Sequence, residues 1–304
     1  MLTRIASGSG HGVRYVPEVV LGETPADPVM TEVTHTSCSL ALSRDTLQSD
    51  ALRSDRQISF VRTGTDKVGG SLDIEFGAKE FDPFLAAALG GTWTADVLKA
   101  GTVLQMFTLE RVFGDIGLYQ RFVGCAVNQM TLSVKPGALV TGSFDFVGLS
   151  AALETDPLSD APVMPGTPVP FDGFTGSLKV NNAAIAVVTG IDLTLANGVE
   201  AKYPLFTRSA TSVIWGKSNL SGTITAFFTE DAALLRKFIQ DEKVSLEFVL
   251  QYGADSYTFL IPVVTLTGGD NAVQGEAEIS LSIPWVASLD TALGTNIQIT
   301  RSLA

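Results

Sequence analysis

The residues whose types come closest to doing chemistry are two carboxylate pairs, Asp73 with Glu75 and Glu276 with Glu278. Paired carboxylates can divide acid and base roles, as in glycoside hydrolysis, when their environments differ and a cleft holds the sugar beside them. Each pair here is two residues apart within an alternating segment, GSLDIEF or GEAEISLSIPW. On a strand that spacing puts both carboxylates on one face, opposite the apolar residues. The pattern reads as a solvated or channel-facing sheet surface, and Asp145 in GSFDFVG extends it. Trp93, Trp215 and Trp285 stand in no context that would assemble a sugar platform around these carboxylates.

No other catalytic signature is written in the chain. GxSxG, HExxH, a P-loop and a strand-linked GxGxxG are absent, and the adjacent glycines of GGSLDIEF lack a phosphate-binding lysine. His11, His35, Cys38 and Cys125 have no ordinary zinc spacing, and the two cysteines read as buried thiols. GGDN at 268–271 reads as a turn rather than a calcium loop. The expectation is a protein without catalytic residues, cofactor or metal. The formal charge is −12, from 20 basic and 32 acidic residues, and both halves are acidic. Tight wrapping of nucleic acid needs concentrated positive charge, so it is excluded, whereas a nucleic acid sliding past is not. Arg53 and Arg56 in RSDR, and Arg62, could touch phosphate. With Asp50, Asp55 and Asp66 nearby they read instead as contacts across a protein interface.

The elements that position these residues are mostly strands. SCSLALS, GSLDIEF, VLQMFTLE, MTLSV and GSFDFVG in the first half alternate with period two or are β-rich, as are GIDLTLAN, GTITAFF, VSLEFVLQY, YTFLIPVVTLT and AEISLSIPW in the second. Between the halves lies ALETDPLSDAPVMPGTPVPFDG, whose prolines and small residues predict a linker. The predicted organisation is a first domain over 1–152, a linker over 153–172 and a second domain over 173–304. No apolar run reaches bilayer-spanning length and no signal-peptide core opens the chain, so cytoplasmic synthesis without membrane insertion is expected.

The two halves repeat one another. Leu40 and Leu42 match Leu193 and Leu195, and Gly70, Leu72, Ile74 and Phe76 match Gly222, Ile224, Ala226 and Phe228. Further on, the stretch from Met130 resembles the stretch from Val263 once part of GGTWTADVLKAGTV is set aside as a loop special to the first half. A short amphipathic helix follows each glycine-led strand. Asp82 is the expected cap of the first, with Phe81, Phe84, Leu85 and Leu89 apolar. Thr229 is the expected cap of the second, with Leu234, Leu235, Phe238 and Ile239 toward the sheet. The connections 43–65 and 196–218 are of similar length. The second carries Tyr203, Leu205, Phe206, Arg208, Ile214 and Trp215, apolar enough in part to suggest a partner surface.

GVRYVPEVVLGETPADPVM resembles the opening of the tail tube proteins of long-tailed bacteriophages, the match falling on Tyr15, Pro17, Glu18, Gly22 and Pro25. The strand-helix unit with TLSVKPGALVTGSFDFVG is similar to that family's tube domain. The resemblance implies a mainly β fold: two tandem β-sandwich or partly closed barrel domains, each with a short flanking α-helix. It implies self-association into stacked rings forming a virion tail tube, assembled in the host cytoplasm, through which double-stranded DNA passes. It also implies tape measure and tail-tip or terminator proteins as partners. Because single-domain members commonly close as hexamers, the repeat leads to an expected trimeric, pseudo-hexameric ring. On this reading Asp73, Glu75, Asp145, Glu276 and Glu278 are candidate lumen-facing acids. Arg53, Arg56, Arg62, Tyr203, Phe206 and Arg208 are candidate contacts between subunits or rings. A decoration or receptor-binding module is the alternative.

Overall fold

A computed structural model describes residues 4–166, 169–185, 187–230, 232–269, 271, 273 and 278–304. The strands of five or more residues in the first half are β1 (His11–Pro17), β2 (Ala41–Gln48), β3 (Val61–Glu75), β4 (Met106–Phe113), β5 (Leu118–Val134), β6 (Thr141–Gly148) and β7 (Ser150–Glu154). Those of the second are β8 (Gly176–Val180), β9 (Val188–Ala196), β10 (Asn219–Phe227), β11 (Val244–Tyr252), β12 (Asp255–Leu266), β13 (Ser280–Ala287) and β14 (Gln298–Ser302). Helix α1 (Asp82–Leu89) follows β3 and α2 (Ala233–Ile239) follows β10. The chain is mainly β, and among the described residues no helix is long and apolar enough to cross a membrane.

In the first half β1 pairs with β4, β4 with β5, β5 with β6, β6 with β3 and β3 with β2, all antiparallel, while β7 adds to β5. In the second half β8 pairs with β11, β11 with β12, β12 with β13, β13 with β10 and β10 with β9, while β14 adds to β12. Register shifts fall at matching places. One lies between Phe107 and Leu109 against Cys125 and Phe122, the other between Val244 and Leu246 against Val264 and Ile261. By that register Val127 corresponds to Leu266, opposite Phe146 and Trp285 respectively. The similarity from Met130 and Val263 in the sequence is therefore out of step with the strand pairing. Gly70 and Gly222 have one cause: a Cβ would fall 2.5 Å from Ser39 O in the first and 2.1 Å from Asp192 O in the second, so the neighbouring backbone leaves no room.

β5 belongs to two layers. Its first part pairs with β4 and β7, and its last residues run between β6 and β9, where Thr131 faces Thr194. That junction makes β2–β3–β6–β5–β9–β10–β13–β12 one continuous antiparallel sheet. Within the chain it does not close into a barrel, since β2 pairs only with β3 among the described residues. Its inner face buries Leu72, Ile74, Phe144, Met130, Leu193, Ile224 and Ile283 in a core that runs through both halves.

The helix ends differ from the sequence expectation. Asp82 is the first helical residue and makes no capping bond; Tyr257 Oη donates to its carboxylate at 2.6 Å and Arg301 Nη1 pairs with it. Burial pushes that carboxyl up, while Tyr257 and Arg301 hold it down. The partners from the second half have taken the oxygen that a cap would use. At α2, Thr229 gives only a backbone carbonyl to Ala232 N–H, Ala232 is the residue before the helix, and Asp231 lies outside the described residues. Of the four residues expected toward the sheet, Leu234 is buried and Leu235 and Phe238 are half-buried. Ile239, at the end of the helix, is 71 % exposed.

The proline-rich segment is not a free tether. Val163 bridges Thr31 in parallel, and Val140 N–H donates to Phe171 O while Phe171 N–H donates to Phe76 O. The Phe171 ring is fully buried, 5.8 Å from both Phe76 and Tyr257. One aromatic cluster thus joins the first half, the connecting segment and the second half. Phe171→Ala should cost about 3–5 kcal/mol, as a large ring leaves a cavity that can collapse only in part. Denaturant unfolding of the unassembled chain measures this, and a loss within about 0.5 kcal/mol, as at a surface site, would mean the segment is not part of the core.

Candidate functional site

The outer face of the continuous sheet is built by alternation. Core residues at even positions of β3 and β6 force Ser71, Asp73, Glu75, Ser143 and Asp145 to the other side. Gln129, Thr131 and Ser133 of β5 and Asp192 and Thr194 of β9 continue it, followed by Ser221, Thr223 and Thr225 of β10 and Ser282 of β13. Hydroxyls knit the surface laterally. Thr131 Oγ1 lies 2.8 Å from Ser143 Oγ, Ser133 Oγ donates to Asp192 at 2.6 Å, and Ser37 Oγ donates to Asp73.

Its charges are all negative: Asp73, Glu75, Asp145 and Asp192. No Lys or Arg occurs in 69–75, 129–133, 141–147, 192–196, 221–227 or 280–286. Lys67 stands beyond the edge of this zone and is paired with Asp45 at 2.9 Å. Burial, then the nearby Asp73 charge, push the Asp145 carboxyl up. A surface with hydroxyls and carboxylates but no cation has no group that would hold a phosphate.

The sequence-predicted acids divide accordingly. Asp73 and Asp145 sit diagonally across the β3–β6 pairing and Glu75 is exposed at the end of β3, opposite Thr141. Glu278 is exposed ahead of β13, away from the strand surface proper, and Glu276 lies outside the described residues. Asp192 joins the set although sequence reasoning passed over it. The alternation of DLTLA, already visible against Leu193 and Leu195, carried the signal.

The predicted contact residues also separate into groups. In the β2–β3 connection Arg53 forks onto Asp55 and Arg56 is exposed with positive φ, while Arg62, at the start of β3, lies 5.8 Å from the Phe60 ring. Tyr203 Oη donates to Asp66 O at 2.9 Å, Arg208 Nη2 reaches Thr63, and Asp66 N–H donates to Arg208 O. Those two therefore join the halves of one chain. Phe206 stands fully in solvent.

Other polar groups belong to the scaffold. Glu18, in the Tyr-x-Pro-Glu stretch, accepts from Thr108 Oγ1 at 2.8 Å, Gly124 N–H at 2.7 Å and Gly22 N–H at 2.6 Å, pinning the segment after β1 to β4 and β5. Tyr15 packs on Phe84 and Phe107, with ring centroids 4.8 and 5.8 Å away. His11 and His35 meet at 2.8 Å, and Arg111 Nε donates to His11. Burial, Arg111 and His35 lower His11 to about 4. Cys38 and Cys125 are free thiols, Cys125 fully buried and its thiol pushed well up by burial. Among the described residues no group of three or more His, Cys, Asp or Glu could hold a metal ion.

The raised Asp145 carboxyl gives a pH signature. A folded-state pKa above the unfolded one costs stability once pH has risen past the folded value, and the cost vanishes below the unfolded carboxylate range. Asp73→Asn should therefore raise the melting temperature at pH 7 by more than at pH 3. Equal shifts at both pH values in thermal scans would mean that the two carboxylates do not interact.

A search of curated protein sequences finds no match to the chain. A family model described as phage tail tube protein matches residues 8–287, spanning the polar sheet face, both helices and the Glu18 segment. With this architecture and that match, the chain belongs to the phage tail tube protein family, as a non-enzymatic structural component of the virion tail.

Proposed function

We propose that the chain carries two tandem tube domains, 1–152 and 173–304 joined through 153–172, and that three copies close into a ring with six domains. The observation that carries this reading is the repeated order of strand pairing: every pairing among β1–β7 has its counterpart seven strands later. In the chain β5 joins the first domain to the outer edge of β9. β2 holds in the first domain the place of β9, and its outer edge has no partner among the described residues. A neighbouring copy completes the pairing there, as β5 does for β9 within the chain. Three such junctions within chains and three between them make a closed barrel.

The barrel's inner wall is the hydroxyl and carboxylate face. Eight strands per chain, about 4.8 Å apart, give a perimeter of about 115 Å for three chains before strand tilt, or about 37 Å between opposite backbones. Tilt widens it further. Asp73, Glu75, Asp145 and Asp192 repel phosphate around that wall, which suits a conduit for double-stranded DNA that must move without sticking. Glu278, exposed ahead of β13, lies near the rim. Rings stack into the tube, with Arg53, Arg56, Arg62 and Phe206 on the side of inter-ring contact. Tape measure and tail-tip or terminator proteins are the partners that family membership brings.

The purified chain should form hollow tubes or stacked rings by negative-stain microscopy, and native mass measurement of a ring should give three chains. Six chains per ring would replace the two-domain wall with one lining and one decorating domain. Stable monomers at high concentration would overturn the tube reading itself. In assembled tubes Asp145→Lys with Asp192→Lys should make retention of duplex DNA salt-dependent, where the wild-type tube retains none; unchanged retention would mean that this face is not the inner wall.

A further inference from the structure

The chain treats its two helices differently. In α1 Phe84 and Leu85 through Leu89 are all buried, whereas α2 buries Leu234 and leaves Ile239 71 % exposed. The cover over the C-terminal end of α1 is the β9–β10 connection. Asn197 Nδ2 donates to Ala88 O at 2.8 Å, and a Cβ on Gly90 would fall 2.5 Å from Trp215 Cζ3. Val199, Ala210 and Val213 of the same connection share an apolar cluster with Met106, Ala126 and Leu149 of the first half. The connection is a short ribbon, with Glu200 opposite Ile214 and Ala201 opposite Val213.

The outer end of the β2–β3 hairpin, beyond Thr63, repeats that ribbon, and its apolar side chains are exposed among the described residues. Leu47 faces Arg62 and Gln48 faces Val61, so Val61 holds the place of Val213. Val213 is 7 % exposed, and Val61 is 54 % exposed with Leu47, Ile58 and Phe60 beside it at similar values. The receiving side is open as well. Val286 corresponds to Val147, which packs against the apolar cluster under the first ribbon, yet Val286 is 38 % exposed. Among the described residues the molecule therefore holds one covered helix end, one bare helix end and one bare cover. An intramolecular interface already demonstrates the geometry that would bring the last two together.

We infer that the β2–β3 ribbon of a second copy lies across the C-terminal end of α2, with Val61 and its apolar neighbours against Ile239 and Val286. The docking repeats between chains the contact that the β9–β10 ribbon makes with α1 inside one chain. This rests on the two-domain ring described above. It differs from ring closure through strand edges, because it is made by side chains and not by backbone pairing. The ribbon tip, 50–57, stays free for the adjacent ring.

Hydrogen exchange of wild-type tubes against unassembled chain tests it without any substitution. Amides of 233–240 and of 47–49 with 58–61 should both slow by at least about tenfold on assembly, since each becomes coupled to a buried interface. In a second measurement, Val61→Cys with Ile239→Cys in assembled tubes should give inter-chain dimers and trimers with a short thiol cross-linker, absent from either single variant. Tubes with unchanged exchange in α2 and no cross-link would overturn the inference and leave the tube reading standing. Protection of the ribbon alone would also overturn it, by assigning the whole ribbon to the next ring. Failure of the wild-type chain to assemble would remove the ring reading and this contact together.

Discussion

An open strand edge is a row of unpaired backbone donors and acceptors, and this molecule is organised around where such edges go. Each half ends its polar sheet in two edges. The pairing of β5 with β9 satisfies one from each half through backbone bonds that do not depend on which side chains are present. Side-chain identity then follows from that continuity. Once the sheet is continuous, one face must be apolar from β3 to β13, and the other is free to be hydroxyl-rich. The aromatic contact of Phe76, Phe171 and Tyr257 locks the halves behind the sheet, and Asp82 with Arg301 adds a charged tie between α1 and β14.

A junction built within the chain also has kinetic meaning. Linked domains meet at an effective concentration set by their connection, so the intramolecular pairing escapes the loss of translational and rotational freedom that every intermolecular one carries. Docking of Val163 and Phe171 onto the first half shortens and stiffens that connection. In the proposed three-chain ring, half the lateral joints would be made before any two molecules meet.

Much of this was legible in the sequence because it is written in alternation. GSLDIEF, GSFDFVG and DLTLA disclose which residues turn outward whatever their tertiary neighbours, and the paired glycines mark where strands crowd. What stayed hidden depends on contacts between segments distant in the chain. Asp82 has the composition of a cap, and only the arrival of Tyr257 and Arg301 redirects it. Prolines in 153–172 read as a linker, while the burial of Phe171 within it comes from distant partners, and the residue is no different locally from an exposed one. His11 and His35 meet across β1 and the Thr31–Val33 strand, a pairing that spacing along the chain does not announce. Tyr203 and Arg208 were readable as interface residues, but the surface they meet belongs to their own chain.

The strap after α1 is the least symmetric part of the molecule. Val97–Lys99 pairs with β14, placing Leu98 opposite Ile299, and Arg301 stacks 4.4 Å from the Trp93 ring. Between α2 and β11 there is no room for such an arm, only four residues. In the proposed three-chain ring the strand pairing would therefore repeat about every sixth of a turn, while the outside would repeat only every third of a turn. A body travelling along the axis and a protein seated on the outer surface would meet two different symmetries in the same object.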